Sequence, residues 1–356
     1  MPSLVLTPTT IVYKQVDNIS LFLDFYPPQD TTNRDGDSSS GSHDYASPVP
    51  ALIYFHGGGL TVGDRKSWFP TWLYERVTSV GIAFISAEYR LIPPSTGHDI
   101  LDDIHDLFAF FASPNATLHL HPPPDPARFA VAGTSAGALC AYLAAAHVRP
   151  APRAVLSMYG LGGDFLTPHY LTAKTTPFFR GRELLDPAAY ADWLYPASAR
   201  QPATSGVPLA YSSVTGRPAH PRMVLARLYL QLGVFLDYYT GIHEPSLSGT
   251  LQAGEEVPAA ARVLFPQLHV TESWPPTLCV HGAQDTAVRI GESESLVAAL
   301  QRVGARGRLR VVDGEEHSFD YQEGAEDKFG KPGGLFEECS RFVVEELKGD
   351  GKVLAN

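Results

Sequence analysis

The stretch of residues 128–143 constrains this chain more than any other. It reads RFAVAGTSAGALCAYL: an apolar run, then Gly133-Thr134-Ser135-Ala136-Gly137, then a run of Ala and Leu. A strand that ends at the first glycine and a helix that opens just after the serine impose a sharp reversal at Ser135. Such a turn strains the serine backbone and lifts its hydroxyl clear of the sheet. The neighbours must be small so that strand and helix can approach, hence the two glycines. The helix N-terminus adds positive partial charge beside the hydroxyl. Ser135 is therefore the candidate nucleophile. A Gly-Ser turn without chemistry is the bland alternative, and the strand–turn–helix context argues against it.

Around this segment apolar strands and helices alternate. Residues 51–55, 82–86, 128–133 and 154–160 are apolar runs of strand length. Residues 65–80, 99–112 and 135–148 have helical patterning, with Ile100, Ile104, Leu107, Phe108 and Phe111 at core spacing. Strands buried on both faces and separated by helices predict an α/β fold with a mostly parallel central sheet flanked by helices. Residues 10–27 predict a hairpin about Asp17-Asn18, and the polar residues 29–48 a flexible loop. The alternation stops over 161–273, where a helix is expected at Met223–Tyr239. It resumes with strand 277–281, helix 291–303, strand 308–312 and helix 335–347. A structureless loop of that length is implausible. The expected organisation is a core of 1–160 and 274–356 with an inserted cap, 161–273, over the carboxyl edge of the sheet, where ligands bind in open α/β sheets.

Composition narrows the partners. A formal charge of −11 disfavours nucleic acid and anionic membrane. No run of eighteen apolar residues is present to span a bilayer, and the first residues do not read as a signal peptide. Cys140, Cys279 and Cys339 are scattered and odd in number, which excludes a disulfide framework and suits a reducing, cytoplasmic setting. His119 and His121 lack a carboxylate or thiol partner nearby, so no metal is expected. Asp102, Asp103 and Asp106 lie on a helix with core-spaced apolar neighbours and read as a solvated face. Nothing in the sequence indicates an oligomeric state.

The serine needs partners. His56-Gly57-Gly58-Gly59 follows the first buried strand, and a glycine run there can present backbone N–H groups which, with the N–H of Ala136, would form an oxyanion hole. His56 itself reads as a structural hydrogen-bonding residue. The base should follow the serine in the chain. His317 lies in Asp-Gly-Glu-Glu-His-Ser-Phe, just after the last strand, whereas His281 ends a strand and reads as packed. For the acid, Asp285 follows the preceding strand and Asp164 is its rival, with Glu315 and Glu316 read as exposed loop charges.

The motifs HGGG at 56–59, Glu88-Tyr89-Arg90-Leu91, GTSAG at 133–137, HGAQD at 281–285 and the late EEHSF together resemble the hormone-sensitive-lipase-like branch of the α/β-hydrolases, including fungal and bacterial carboxylesterases. The resemblance covers roughly residues 50–160 and 275–320. It implies a cofactor-free acyl-enzyme mechanism, with Ser135, Asp285 and His317 as triad and Gly57, Gly58 and Ala136 as oxyanion hole. Thr134 stands where the family commonly has an acidic residue, and Gly137-Ala138 replaces its glycine pair.

The reading favoured by these residues is a carboxylesterase-like serine hydrolase acting on an ester or thioester of a small hydrophobic acyl substrate. The alternatives are an acyltransferase or thioesterase with the same triad, an amidase or peptidase, and a non-catalytic binding module. Phe178, Phe179, Trp193, Tyr229, Phe235, Tyr238 and Tyr239 are candidates for an acyl pocket or for the core of the cap. An insertion this apolar predicts a pocket that prefers apolar groups to charged ones.

Overall fold

The structure is a computed structural model that describes residues 7–29 and 47–349. Most of the expected 29–48 loop lies outside the described residues. The frame is one eight-stranded sheet in the order β1-β2-β4-β3-β5-β6-β7-β8. Its strands are β1 (Thr9–Val16), β2 (Ile19–Tyr26), β3 (Val49–Phe55), β4 (Ala83–Ala87), β5 (Pro124–Thr134), β6 (Val155–Met158), β7 (Thr277–Gly282) and β8 (Gly307–Val312). β1 and β2 form a hairpin about Asp17-Asn18, β2 is antiparallel to β4, and every other pairing is parallel.

The core helices before the insertion are α1 (Thr71–Thr78), α2 (Gly97–Ala112), α3 (Pro114–His119) and α4 (Ala136–His147). The segment between β6 and β7 holds α5 (Pro168–Leu171), α6 (Arg222–Leu232), α7 (Phe235–Thr240) and α8 (Leu247–Gln252). The chain ends with α9 (Gly291–Arg302), α10 (Ala325–Phe329) and α11 (Leu335–Lys348). Among the described residues no helix is long and apolar enough to cross a membrane.

Strand β3 explains the layering. Successive side chains of a strand point to opposite faces. Ala51, Ile53 and Phe55 therefore enter one core while Leu52 and Tyr54 enter the other, all essentially without exposure. The first core takes Ile100, Ile104 and Leu107 of α2 and Leu139 and Leu143 of α4. The second takes α1 and α11, where Trp72 stacks on Phe336 with ring centroids 4.2 Å apart.

Three expectations change. The helix expected over 65–80 is only Thr71–Thr78, because Asp64–Ser67 forms a side-chain-capped turn and Pro70 sits at the helix entrance. The single helix expected at Met223–Tyr239 is two, α6 and α7, parted at Gly233, which takes φ 68° and terminates α6. Asp103 is not on a solvated face: it is fully buried, accepts from Arg90 N at 2.9 Å, and pairs with Lys14 at 2.8 Å. The periodicity placed it beside core residues without revealing that two cations would reach it from β1 and the loop after β4.

Between the neighbouring strands β6 and β7 the chain leaves the sheet and returns, and Arg222 pins that excursion down. This side chain is 1% exposed. It donates to the carbonyls of Ile92 (3.0 Å) and Pro93 and lies 4.9 Å from the Trp193 ring. Its own carbonyl accepts from Thr61 Oγ1 at 2.8 Å.

Backbone approaches backbone closely where α4 crosses the sheet. A Cβ at Gly137 would lie 2.0 Å from the Phe55 carbonyl oxygen, and one at Gly133 2.2 Å from the Gly137 carbonyl carbon. Backbone cannot yield as a flexible side chain can. Gly137→Ala should therefore lower the unfolding free energy by about 1–3 kcal/mol or more, read by urea denaturation. Unchanged stability would contradict so close a seat for α4.

Candidate active site

The glycine crossing sets Ser135. Its backbone takes φ 53° and ψ −120°, held by its N–H donating to Met158 O at 2.9 Å and its carbonyl accepting from Leu161 N at 3.0 Å. His317 comes from the turn after β8 and Asp285 from the loop after β7. The His317 Nε2 lies 3.0 Å from Ser135 Oγ, and its Nδ1 lies 2.7 Å from Asp285 Oδ2. An ionised carboxylate only accepts, so Nδ1 carries the proton and Nε2 faces the hydroxyl as acceptor.

Asp285 is 4% exposed, and its Oδ1 accepts from the N–H groups of Ala287 and Val288, both at 2.9 Å. Burial opposes its charge, but hydrogen bonds from His281 and His317 outweigh burial and hold the carboxyl well below the usual carboxylate range. Asp164 does not reach His317. Its Oδ1 accepts from Leu166 N, and its Oδ2 faces Ser295 Oγ at 3.4 Å.

Gly57 packs against the Ser135 turn, where a Cβ on it would lie 3.5 Å from Ser135 Cβ. Among the described residues, the N–H groups of Gly57, Gly58 and Ala136 have no acceptor. Gly58 takes φ 106°, and a side chain there would strike the Val62 carbonyl. His56 is buried, bonds the Gly57 carbonyl through Nδ1 at 2.7 Å and stacks on Tyr89. Burial pushes its pKa down to about 4, so it stays neutral.

Several supporting residues escaped the sequence reading. Glu316 is not a free loop charge: its carboxylate accepts from His317 N at 2.7 Å, from Thr286 N at 3.0 Å and from the Thr286 hydroxyl, joining the loops that carry His317 and Asp285. Glu315 is buried and paired with Lys328. His281 is packed, as expected, but its Nε2 also lies 3.3 Å from Asp285 Oδ2. The Tyr159 ring meets that of His317 edge-on at 4.6 Å, and its hydroxyl donates to buried Asp320 at 2.6 Å. Burial raises Asp320 to about 6. The EEH spacing was the available signal for Glu316; nothing local marks Tyr159.

Ser135 and His317 open onto a cavity of about 230 Å³. Phe179, Phe235, Met223 and Leu230 line it from the inserted segment. The other candidate aromatics do not line it: Tyr229 and Tyr238 stack at 3.7 Å, and Tyr239 donates to Leu264 O. Arg180, Arg182 and Arg227 also line the cavity, which the expectation of a purely apolar pocket did not include.

Comparison with known proteins agrees with this architecture. Residues 52–225 match a family described as having the alpha/beta hydrolase fold, and residues 250–338 match the prolyl oligopeptidase family. A probable carboxylesterase of a Phoma species is 32% identical over 31% of this chain and 37% of its own length. A non-reducing polyketide synthase of Emericella nidulans is 25% identical over 96% of this chain but only 14% of its own length. The chain thus spans well under two thirds of either relative. Among solved structures, esterase 2 of Thermogutta terrifontis phosphonylated by sarin has a TM-score of 0.57 at 17% identity, covering 100% of this chain and 99% of that one. The same esterase with butyrate bound has a TM-score of 0.54 at 18% identity, covering 98% and 99%. The chain has the α/β-hydrolase fold.

Glu292 on α9 ties the start of the insertion to the core. Its Oε2 accepts from Gly162 N at 3.0 Å and Asp164 N at 2.9 Å, and burial raises its pKa to about 7. A carboxyl raised on folding contributes stability below its unfolded pKa, and that contribution is lost as pH rises through the folded value. From the ordinary value of 4.5 up to about 7 the loss is about 3 kcal/mol. Glu292→Gln keeps an acceptor without the charge. Its stability relative to wild type should rise by about that amount across this window, measured by denaturant midpoints at several pH values. A pH-independent difference would refute the linkage.

Proposed function

We propose that the chain is a serine hydrolase that cleaves a carboxylic ester or thioester of a hydrophobic small molecule through an acyl-enzyme intermediate. Residues 161–273 act as its cap. The observation that carries this reading is the Ser135–His317–Asp285 relay, with contacts of 3.0 and 2.7 Å, opening onto the cavity.

In this mechanism Ser135 Oγ attacks the substrate carbonyl while His317 Nε2 takes its proton. Asp285 holds the imidazole in the required tautomer and stabilises the imidazolium. The N–H groups of Gly57, Gly58 and Ala136 bind the developing oxyanion. His317 then protonates the leaving group, and water, activated by the same imidazole, releases the acid from Ser135. A second reading, thioester cleavage with transfer of the acyl group to another acceptor, draws support from the polyketide synthases. Segments of these match 96% and 87% of this chain in the Emericella nidulans and Penicillium brasilianum proteins.

A fluorophosphonate probe should label Ser135 and no other residue, and Ser135→Ala should lower turnover of a short activated ester by at least about 10³-fold with the fold retained. Intact-mass spectra after incubation with acyl esters and thioesters would report the acyl-enzyme and its preferred donor. Labelling elsewhere, or full turnover in the variant, would sink the nucleophile.

The acid is tested by a pair of variants. Asp285→Asn should cost on the order of 10⁴ in kcat, because the amide cannot hold the imidazole tautomer as the carboxylate does. Asp164→Asn should cost far less. The reverse ranking would assign the acid to Asp164.

A further inference from the structure

The cavity has the wrong charge for its protein. The chain has 38 acidic and 27 basic side chains besides histidine, yet three arginines and no Asp or Glu line the space above Ser135. Arg180 is already engaged: it donates to His317 O at 2.7 Å and lies 3.6 Å from Glu316. Arg182 and Arg227 are not. Among the described residues neither forms an ion pair. Among the described residues the one protein acceptor of the Arg227 side chain is the Glu183 carbonyl at 3.2 Å, and its Nε is buried without a partner.

Both guanidinium groups line the same cavity, so their like charges repel each other there. Burial lowers the pKa of Arg227, and the like charge of Arg182 lowers it further. The backbone that presents Arg182 is costly as well. Phe178 and Arg182 exchange hydrogen bonds of 3.3 and 2.9 Å across a tight turn. Within that turn Phe179, Arg180 and Gly181 take φ of 52°, 64° and 67°. Two consecutive non-glycine residues in the left-handed region are uncommon, and such strain persists where surrounding structure enforces it. Here the anchors are Arg180 N donating to Thr286 Oγ1 at 2.8 Å and the Arg180 side chain on His317 O. The turn therefore ties Arg182 to the loops that carry His317 and Asp285.

We propose that Arg182 and Arg227 form a subsite for an anionic group of the substrate, a carboxylate or phosphate oxyanion, carried at a distance from the carbonyl that Ser135 attacks. The inference rests on the hydrolase reading and specifies its substrate class: an apolar body with one anionic end. Two guanidinium forks match such an oxyanion in geometry and charge. An anion would relieve their mutual repulsion and give Arg227 Nε an acceptor. Arg182 is exposed and marks the solvent end of the cavity, so the anion sits there while the reacting carbonyl lies at the serine. Two sources share this chemistry, one on each side of the scissile bond: a carboxylate ending the acyl chain and a phosphate on the leaving group.

Two matched substrate pairs test this. The first is p-nitrophenyl hydrogen glutarate against its neutral isostere with a branched methyl terminus. The second is hexanoyl-phosphopantetheine against hexanoyl-pantetheine. In at least one pair the anionic member should have the higher kcat/KM, by about tenfold at low salt, with the preference shrinking as salt rises. Which pair responds distinguishes the carboxylate from the phosphate source. Arg182→Gln and Arg227→Gln should each reduce the anionic-to-neutral ratio by about tenfold, and Arg182→Lys should restore part of it. Arg182 is exposed, so its variants report even if Arg227→Gln fails to fold. Ratios at or below one in both pairs, or ratios unchanged by the variants, overturn the subsite while Ser135-dependent turnover of the neutral members upholds the hydrolase. If nothing is turned over, calorimetry of glutarate monoamide and phosphopantetheine on the Ser135→Ala protein decides. Arginine-dependent binding keeps the subsite and abandons the hydrolase reading; absence of binding removes both.

Discussion

The crossing of α4 over β3 and β5 is the constraint on which the rest depends. Neither Gly133 nor Gly137 has room for a Cβ: one would meet the backbone of the other, and the second the Phe55 carbonyl. That approach brings the helix start directly above the end of the strand and leaves Ser135 no ordinary conformation, only φ 53° and ψ −120°. The strain is absorbed by burial of nearly all of α4 and by two backbone hydrogen bonds at Ser135, to Met158 and from Leu161. The same crossing sets Gly57 against the Ser135 side chain, so the glycine loop and the serine turn share one packing solution.

Around the serine, loops from separate strands are bound to each other as well as to the sheet. Glu316 joins the His317 turn to Thr286, and Arg180 joins that turn to the inserted segment. Tyr159, at the end of β6, supports the imidazole ring and is itself held by Asp320. Asp285 accepts two backbone N–H groups and contacts two imidazoles, which keeps it ionised despite near-complete burial. A carboxylate so satisfied has little freedom to rotate away from His317.

The inserted segment depends on the core in a different way. Among the described residues Arg222 is a buried cation without a carboxylate partner; carbonyl oxygens and the face of Trp193 satisfy it instead. Burial lowers its pKa to about 10. It fastens α6 beside the glycine loop, where Ala226 of the same helix comes so near that a Cβ at Gly59 would lie 2.3 Å from its methyl carbon. The wall of the cavity and the loop beneath it therefore cannot move independently without breaking this contact.

Local features were legible in the sequence. The strand–turn–helix at Ser135, the glycine loop, the His317 turn and the alternation behind the parallel sheet are each encoded by contiguous residues, because backbone geometry and side-chain period act over short spans. What the tertiary structure alone decided is which distant groups meet. His317 lies 182 residues from Ser135 and 32 from Asp285 in the chain, and nothing in the local sequence separates Asp285 from Asp164 as the carboxylate that meets His317. The same holds for Asp103, which looked solvated until Lys14 and Arg90 closed on it, and for Glu316, which looked free until Thr286 reached it. The arginines of the cavity are the plainest instance. In sequence they are scattered charges of an acidic chain, and only packing of the inserted segment over the sheet collects them around one space, since the sign of a pocket is set by which side chains converge there and not by composition.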